Sequence, residues 1–268
     1  MTEWWQDLFD EKYLKLFREA RDPLRTAQEI EGITALLGLN GVQEGAEILD
    51  LACGYGRISV PLAQIGYSMT GLDLSTVLLD SARETTAQSD QDVSWQQGDM
   101  RELPEQWTGR FDAVINIFSA FGYFEDPAEN QRVLSEVQRV LKPGGVFIVD
   151  LTHRDYIMSS FRPTDWFEID DLLVCTSREF DPISGMNQEY WLWADERGER
   201  HMLSFRVHVY TATELTRMLS QAELEPVAYY GALAAPPDLL PFQALSRRLV
   251  VVSRKDQPSL ENSDGRKE

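Results

Sequence analysis

The residues of this chain that could do chemistry concentrate in one glycine turn and the acid that follows it. An apolar run at 48–51 precedes the turn, in which Gly54 and Gly56 allow a tight bend and the close approach of a ligand. Asp73 ends the next apolar run, 19 residues beyond Gly54. In nucleotide-binding α/β folds, an acid roughly 20 residues beyond such a turn accepts hydrogen bonds from a ribose. This spacing predicts a binding site for a ligand with a nucleoside end.

Two further residues indicate which ligand the turn holds. Dinucleotide sites carry a third glycine and face a pyrophosphate, but Ser59 stands where that glycine would be. Asp50 lies just before the turn and would repel a pyrophosphate, whereas it suits a ligand with an ammonium group. S-adenosylmethionine carries an ammonium and a sulfonium but no phosphate. The motif therefore favours this cofactor, and a nicotinamide-dependent oxidoreductase is the disfavoured alternative.

An alternating rhythm of strands and helices must position these residues. The run at 48–51 predicts a strand covered on both faces, followed by a helix that begins near Arg57. Pro61 is compatible with that helix only within its first turn. The pair Asp126-Pro127 is typical of a helix N-terminus. The same pattern predicts strands at 67–72, 93–97, 111–118, 141–151, 226–230 and 249–253, and helices at 127–141 and 213–222.

These segments resemble those of class I S-adenosylmethionine-dependent methyltransferases over about residues 45–151. The resemblance rests on the glycine turn and on three later motifs in the same order: Gly98-Asp-Met-Arg101, Phe111-Asp-Ala-Val-Ile-Asn-Ile-Phe118 and Leu141-Lys-Pro-Gly-Gly-Val-Phe-Ile-Val-Asp-Leu151. In pattern the chain is most similar to small-molecule N-methyltransferases, such as those of amino sugars and of glycine. It departs at Ala52, where many members carry the first glycine of the turn. Because alanine is small, we expect little consequence.

The resemblance and the segment pattern together predict an α/β fold. It is a seven-stranded, Rossmann-like, doubly wound sheet with an antiparallel β insert after strand five. Two capping helices, whose apolar stripe begins at Trp4 and is interrupted at 21–23, precede the sheet and could cover the cofactor. The predicted organisation is capping helices at 1–40, a cofactor-binding core at 41–151, the insert at 152–210, the end of the core sheet at 211–254 and a disordered tail at 255–268.

The resemblance also implies a role for each residue of the cofactor site. Asp50 lies near the methionine ammonium, the glycines bring backbone against the methionine and ribose, and Asp73 accepts both ribose hydroxyls. Asp99 and Met100 hold the adenine, through a side-chain acceptor and a backbone donor. A turn-forming aspartate is the alternative interpretation of Asp99. The full cofactor-binding set is Tyr13, Asp50, Ala52, Gly54, Gly56, Asp73, Leu74, Asp99, Met100, Asn116 and Ile117.

Two tyrosines are the catalytic candidates that the resemblance supplies. Phe9-Asp-Glu-Lys-Tyr13 resembles the N-terminal segment that closes over the cofactor in amino-sugar N-methyltransferases. Phe118-Ser-Ala-Phe-Gly-Tyr123 resembles the loop after strand four that borders the transferred methyl, where several relatives carry histidine in place of Tyr123. Unperturbed tyrosine titrates near ~10, so Tyr123 is expected to orient the acceptor rather than to act as a base. A buried loop aromatic is the alternative.

The segment at 152–210 breaks the strand and helix rhythm and is where acceptor identity should reside. Runs at 172–180, 187–194 and 200–210 predict antiparallel strands. In the last run polar side chains alternate with apolar ones, so Ser204, Arg206, His208 and Tyr210 share one face.

That polar face could look into the active site. Arg206, His208 and Tyr210 would then bind the acceptor beside Tyr123, with His208 as a further catalytic candidate. A solvated sheet face is the alternative. The aromatic residues of the insert either line a pocket or form core and subunit contacts: Trp166, Phe167, Tyr190, Trp191 and Trp193.

Composition argues against several classes of function. The formal net charge of −19 and the absence of a run of Lys or Arg disfavour a nucleic-acid partner. Three histidines without tight ligand spacing predict no metal site. No apolar run approaches the ~18 residues that a membrane span needs, and two cysteines give no disulfide framework. We therefore expect a cytoplasmic protein that does not bind membranes, with a homodimer as a candidate assembly.

The leading hypothesis is transfer of a methyl group from S-adenosylmethionine to a small-molecule acceptor. Methyl transfer is a displacement at a carbon already activated by the sulfonium, so alignment and exclusion of water are the main contributions of the enzyme. A hydroxyl acceptor would need a base and a neutral amine less help, which favours N-methylation over O-methylation. A non-catalytic, S-adenosylmethionine-binding regulatory module is the alternative from another class.

Overall fold

The apolar run at 48–51 forms a central strand because its side chains are covered on both faces of a sheet. In the computed structural model, β1 (Glu47–Leu51) pairs in parallel with β2 (Ser68–Asp73) on one side and with β4 (Phe111–Asn116) on the other. The three apolar side chains of β1 are fully buried. The structure describes residues 5, 8–19, 23–89, 91–169, 172–195, 197–234 and 240–257.

Seven strands form the main sheet. Its remaining strands are β3 (Val93–Gln97), β5 (Leu141–Thr152), β10 (Leu224–Tyr230) and β11 (Arg248–Lys255), and the order is β10-β11-β5-β4-β1-β2-β3. β11 is antiparallel to β5 and β10, whereas β1 to β5 pair in parallel. The carboxyl ends of the parallel strands meet at one edge, which is where ligands bind in such sheets. The predicted Rossmann-like sheet is confirmed.

Helices connect the strands, and those at Thr76–Ala87 and Arg154–Ser159 were not predicted from the sequence. The helices are α1 (Glu11–Glu19), α2 (Pro23–Leu39), α3 (Ser59–Ile65), α4 (Thr76–Ala87), α5 (Pro127–Val140), α6 (Arg154–Ser159) and α7 (Ala212–Gln221), with a short 3₁₀ turn at Glu105–Trp107. Pro61 is the third residue of α3 and therefore lies in its first turn. The side chain of Asp126 caps α5 by accepting a hydrogen bond from Ala128 N at 2.9 Å.

The insert is a separate antiparallel sheet of four strands in sequence order. They are β6 (Thr164–Ile169), β7 (Leu172–Phe180), β8 (Met186–Ala194) and β9 (Arg200–His208). The three predicted strands are confirmed, and β6 was not predicted. Among the described strands β6 pairs only with β7, and it alternates between exposed and half-buried residues, so no run of buried apolar residues marks it.

Two predicted boundaries are wrong. β9 ends at His208, and the next residues leave the insert, so that Tyr210 is buried in the core of the main sheet. Lys255, predicted to begin the tail, is the last residue of β11, and its Nζ donates to the carbonyl oxygens of Gln138 and Leu141. Trp4 and the tail from residue 258 lie outside the described residues. In the part of the chain that the structure describes, no helix combines the length and apolar character that crossing a membrane requires.

Candidate active site

The glycine turn between β1 and α3 reaches back to the acid at the end of β2. Ala52, Gly54 and Gly56 all lie in the left-handed region, with φ of 61°, 58° and 77°. Gly54 N donates to Asp73 Oδ2 at 2.8 Å, and Ser75 N donates to Asp73 Oδ1 at 2.9 Å. Burial raises the pKa of Asp73, and these backbone hydrogen bonds oppose that shift. The turn and the acid therefore form one rigid unit.

Asp50 lies at the carboxyl end of β1 and is almost fully buried. Burial raises the pKa of its carboxyl to about 6, although the hydrogen bond from Ser59 and the nearby charge of Arg57 favour the ionised form. Ser59 Oγ donates to Asp50 Oδ2 at 2.6 Å. Ser59, which stands where a dinucleotide turn has its third glycine, therefore orients Asp50, the acid that precedes the turn.

Most of the predicted site residues meet at one cavity above the carboxyl ends of β1, β2 and β4. The predicted residues that line it are Tyr13, Asp50, Ala52, Gly54, Asp73, Leu74, Asp99, Met100, Ile117 and Tyr123. Residues from the N-terminal segment, the glycine turn and the loop after β4 thus converge, as the resemblance implies. Their individual roles remain predictions.

Two predicted cofactor residues, Gly56 and Asn116, are not among the residues that line the cavity. A Cβ at Gly56 would come within 2.7 Å of the Trp95 ring, and a Cβ at Gly71 would come within 2.4 Å of the same ring. The absence of a side chain at Gly56 thus makes room for the tryptophan ring. Asn116 is buried, and its Nδ2 donates to Leu51 O at 2.9 Å, which ties the ends of β4 and β1 together.

The predicted acceptor face of β9 does not reach the cavity. Arg206 is paired with Glu125, and neither lines the cavity. His208 is buried against Tyr210, with ring centroids 5.8 Å apart, and burial lowers its pKa. Tyr210 packs on Phe121 in the core, and burial raises its pKa. The structure therefore corrects the expectation that these side chains face the active site.

The opposite face of β9 packs toward the site instead. Leu203 is buried in a cluster with Leu8 and Leu16 of the N-terminal segment, and Phe205 packs against this cluster. Phe9 and Tyr13, which line the cavity, pack against the same cluster. Alternation along β9 was predicted correctly, but the apolar face, not the polar one, supports the cavity. Trp191 and Trp193 belong to this packing as well.

The N-terminal segment covers the cofactor end of the cavity. Ser75 Oγ donates to Phe9 O at 2.6 Å, which fixes this segment to the loop after β2. The Phe9 ring lies 4.9 Å from Tyr13 and 5.8 Å from Tyr123, measured between centroids. Burial raises the pKa of Tyr123 well above its usual value, and the neighbouring Tyr13 and Asp73 act in the same direction. Tyr123 is therefore a neutral hydrogen-bonding group at physiological pH.

Asp99, predicted to hold the adenine, is engaged by a neighbouring arginine. Arg101 donates through Nε and Nη2 to the two carboxylate oxygens, with the shortest distance 2.6 Å. Partial burial would raise the pKa of Asp99, but the hydrogen bonds and charge of Arg101 lower it overall. The guanidinium also lies 5.2 Å from the Trp5 ring and 4.3 Å from the Phe124 ring. Asp99 is thus an ionised acceptor fixed in place.

Arg57 is a cavity residue that the sequence did not assign. Its Nη1 lies 2.5 Å from Glu29 Oε2 and 3.1 Å from Thr26 Oγ1, both on α2. Among the described residues that line the cavity, Arg57 is the one arginine or lysine, whereas three are aspartates. The signal in the sequence was an arginine directly after the glycine turn of an acidic chain.

These residues fit S-adenosylmethionine. A Cβ added to Gly54 would meet no atom within 4 Å, so the turn opens directly onto the cavity. Asp50 suits the ammonium, Arg57 suits the carboxylate, and Asp73 suits the ribose hydroxyls. Leu74, Met100 and other apolar side chains line the cavity and suit the faces of an adenine.

A small polar group outside the cavity has the residue types of a metal site. Asp195, Glu199 and His201, in the hairpin between β8 and β9, place one potential ligand atom each within 4.8 Å of the others. His201 Nε2 lies 3.2 Å from Asp195 Oδ2, and Asp195 Oδ1 accepts the backbone N–H of Glu199. These hydrogen bonds account for the arrangement as a hairpin turn.

Comparisons of the sequence with known proteins identify it with methyltransferases. A family model described as a methyltransferase domain matches residues 48–145. The putative methyltransferase YqeM of Bacillus subtilis is 30% identical over 180 residues, which cover 66% of this chain and 72% of that protein. A ubiquinone biosynthesis O-methyltransferase of Maricaulis maris is 29% identical over 155 residues, 57% of this chain and 58% of that protein. The chain thus spans just over half of the second relative.

Solved structures share the fold over nearly the whole chain. The CcbJ methyltransferase from Streptomyces caelestis has a TM-score of 0.81 at 20% identity and covers 94% of this chain and 99% of its own. CalS10 of Micromonospora echinaspora, an amino pentose methyltransferase solved with bound S-adenosylmethionine, has a TM-score of 0.67 at 20% identity. It covers 93% of this chain and 99% of its own.

Proposed function

The chain belongs to the S-adenosylmethionine-dependent methyltransferases, and on that basis we propose that it methylates a small-molecule amine by direct in-line displacement. When bound, the cofactor supplies a methyl group activated by its sulfonium. The protein then has to align the acceptor and exclude water. The negative charge of the chain disfavours a polyanionic substrate, which supports a small acceptor over nucleic acid.

The observation that carries the preference for an amine is the acid–base character of the cavity. Among the described residues that line it there is no histidine, and the pKa of Tyr123 is raised well above its usual value. A hydroxyl acceptor would need a base to take its proton, whereas a neutral amine attacks with its lone pair and loses a proton afterwards. The relatives include an O-methyltransferase and an amino pentose methyltransferase, so they do not decide the point.

The cavity residues divide the remaining work. Asp50, Arg57 and Asp73 hold the methionine and ribose ends of the cofactor, and Asp99 accepts from the adenine. Tyr123 and Tyr13 orient the acceptor through their hydroxyl groups and exclude water with their rings. Phe9 closes the same end of the cavity.

The test is turnover of matched acceptor pairs. The protein would be incubated with S-adenosylmethionine and amino sugars or simple amines, each paired with its hydroxyl analogue. Formation of S-adenosylhomocysteine and the product mass would be followed by mass spectrometry. We expect methylated amines, with a rate that rises with pH as the amine loses its proton. Faster methylation of the hydroxyl analogues would overturn the proposal, and Tyr123→Phe should slow the amine reaction by roughly tenfold or more.

A further inference from the structure

The loop after β4 holds two consecutive non-glycine residues in the left-handed region. Phe118 has φ of 69° and Ser119 has φ of 60°. This conformation is disfavoured for any residue with a Cβ, and it persists only where surrounding contacts fix the backbone. The turn is at the active site, because Ile117, Phe118 and Ala120 line the cavity and Tyr123 follows in the same loop.

Asp150 in β5 holds this turn through backbone hydrogen bonds. Its Oδ2 accepts from Phe118 N at 3.0 Å, and its carbonyl oxygen accepts from Ser119 N at 2.8 Å. Thr152 N donates to Ser119 Oγ at 2.9 Å. Both left-handed residues are therefore attached to one short segment of β5.

Arg248 in turn holds Asp150. It is the first residue of β11 and lies opposite Thr152 in the antiparallel pairing. Nε donates to Asp150 Oδ1 at 2.7 Å and Nη2 donates to Oδ2 at 2.6 Å, a bidentate pair. Nη1 donates to Thr152 Oγ1 at 2.9 Å and to Ser119 Oγ at 3.2 Å. The guanidinium thus touches the turn and both residues of β5 that hold it.

This network lies behind the cavity wall. The side chain of Arg248 is 14% exposed and that of Asp150 is 5% exposed, and neither residue lines the cavity. A buried ion pair is weak evidence for a contribution to stability, because apolar residues of similar shape often serve as well. The arrangement of the donors around the turn points to positioning instead.

We propose that Arg248 is a positioning residue for the methyl-transfer site. It acts through Asp150 to keep Phe118 and Ser119 left-handed, and this backbone sets Ile117 and Phe118 against the cofactor. Lysine keeps the charge of Arg248 but lacks the planar fork that reaches Asp150 and Ser119 together. The inference depends on the cofactor and not on the acceptor, so it can fail or hold independently of the proposed amine specificity.

The first test is the affinity for S-adenosylhomocysteine, measured by calorimetry. Arg248→Lys and Arg248→Met should each raise the dissociation constant by about tenfold, because the charge alone does not hold the turn. Arg254→Met is the matched control. Arg254 lies at the other end of β11 and donates to the carbonyl oxygens of Gly144 and Asn40, so its loss should change the affinity by less than about twofold. Native affinity in R248K would overturn the proposal.

The second test separates backbone strain from general damage. Ser119→Gly and Ser119→Ala both remove the hydroxyl, but only glycine removes the cost of the left-handed conformation. In the R248K background, S119G should bind S-adenosylhomocysteine several-fold more tightly than S119A, and in the native background the difference should be smaller. Equal affinities of S119G and S119A in the R248K background would overturn the proposal. This comparison does not require R248M to fold.

Discussion

The two sheets of this protein bury their side chains differently. Apolar clusters cover both faces of the seven-stranded sheet, and almost every residue of β1 and β4 is buried. The four-stranded sheet is covered mainly on one face, where Val174 and Leu203 are buried. On its other face the register aligns one residue from each of the four strands in a row. The residues at the two ends of this row, Trp166 and Met202, are each 62% exposed.

The difference shows what places a functional side chain in each region. In the main sheet, parallel pairing brings the strand ends to one edge, so Asp50 and Asp73 have a single place to act. In the insert, both faces of the sheet carry aromatic residues, with Trp166 on one face and Phe167 and Trp191 on the other. Which face supports the cavity depends on the N-terminal segment that packs on it, through Leu8 and Leu16.

Loss of Asp73, the acid at the end of β2, should weaken cofactor binding more than any other proposed substitution. A small effect would contradict the contrast between the two sheets. Asp73→Ala removes a buried carboxylate that bonds to the glycine turn and to the ribose in our proposal. We expect S-adenosylhomocysteine to bind about 30-fold more weakly or worse, as measured by calorimetry. Asp80→Ala, on α4 and 70% exposed, is the control and should leave the affinity within about twofold. Unchanged binding by D73A would remove the basis for the assigned site.

A pH titration tests the other buried acid of the main sheet. Because burial raises the pKa of Asp50 to about 6, its carboxyl gains a proton as the pH falls through that value and no longer attracts the ligand's ammonium. The dissociation constant of S-adenosylhomocysteine should therefore rise below pH ~6, approaching tenfold per pH unit.

Asp50→Asn is the control for this titration. It should bind weakly and show a flatter profile, with any remaining slope due to Asp73, whose pKa burial also raises. The raised pKa of Asp50 has the opposite effect on stability: ionisation of this carboxyl favours ligand binding but destabilises the folded protein. An acid with a raised folded-state pKa costs stability as the pH rises from its unfolded pKa to about 6, so the ligand-free D50N protein should melt at a higher temperature than the native protein at pH 7. A parallel pH profile for D50N would contradict the assignment.

Arg57 gives a third test, with a control that shares its partner. Arg57→Met removes the cation that we assign to the methionine carboxylate, and the dissociation constant should rise by about tenfold. Arg25 also pairs with Glu29, but its side chain is 46% exposed. Arg25→Met should change the affinity by less than about twofold, because exposed pairs contribute little. Equal effects of the two substitutions would assign Arg57 to helix packing alone.

Substitutions on the two faces of β9 sharpen the comparison directly. Phe205→Ala removes packing beneath the N-terminal segment and should weaken S-adenosylhomocysteine binding by about threefold to tenfold. Arg206→Ala, one residue on, removes the pair with Glu125 and should leave binding within about twofold. Calorimetry on both variants decides which face supports the cavity. A larger effect of R206A would restore the original prediction for the polar face.

The smallest expected effect concerns the departure from the family pattern at Ala52. The expectation of little consequence rested on the small size of alanine, but with φ of 61° an alanine there has a strained backbone. Ala52→Gly should raise the free energy of unfolding by about 0.5–1 kcal/mol in urea titrations. Ala46→Gly, at a residue outside the left-handed set, should lower it instead. A loss of stability in A52G would show that the strain is relieved elsewhere.

The sequence was sufficient for the parts of the site that short spacing controls. The turn, Asp73 and the caps of the helices depend on residues close in the chain, and their geometry follows from residue type. Arg248 and Asp150 are 98 residues apart, and no local pattern indicates that they meet. The left-handed Phe118 and Ser119 carry no sequence signal at all, because neither is a residue type that favours that conformation. The orientation of β9 required the partner that covers it.

The contact of Trp95 with Gly56 and Gly71 limits which substitutions this part of the chain can accept. A methyl group at either glycine would overlap the indole, so neither can become alanine while position 95 is tryptophan. A smaller residue at 95 would leave a void and lose the hydrogen bond from the indole to Thr86. It would not free the glycines, because a Cβ at Gly71 would still lie 2.8 Å from Cys53 Sγ and Gly56 is left-handed. Replacing either glycine therefore requires changes beyond position 95, so these residues restrict which substitutions the turn and β2 can accept.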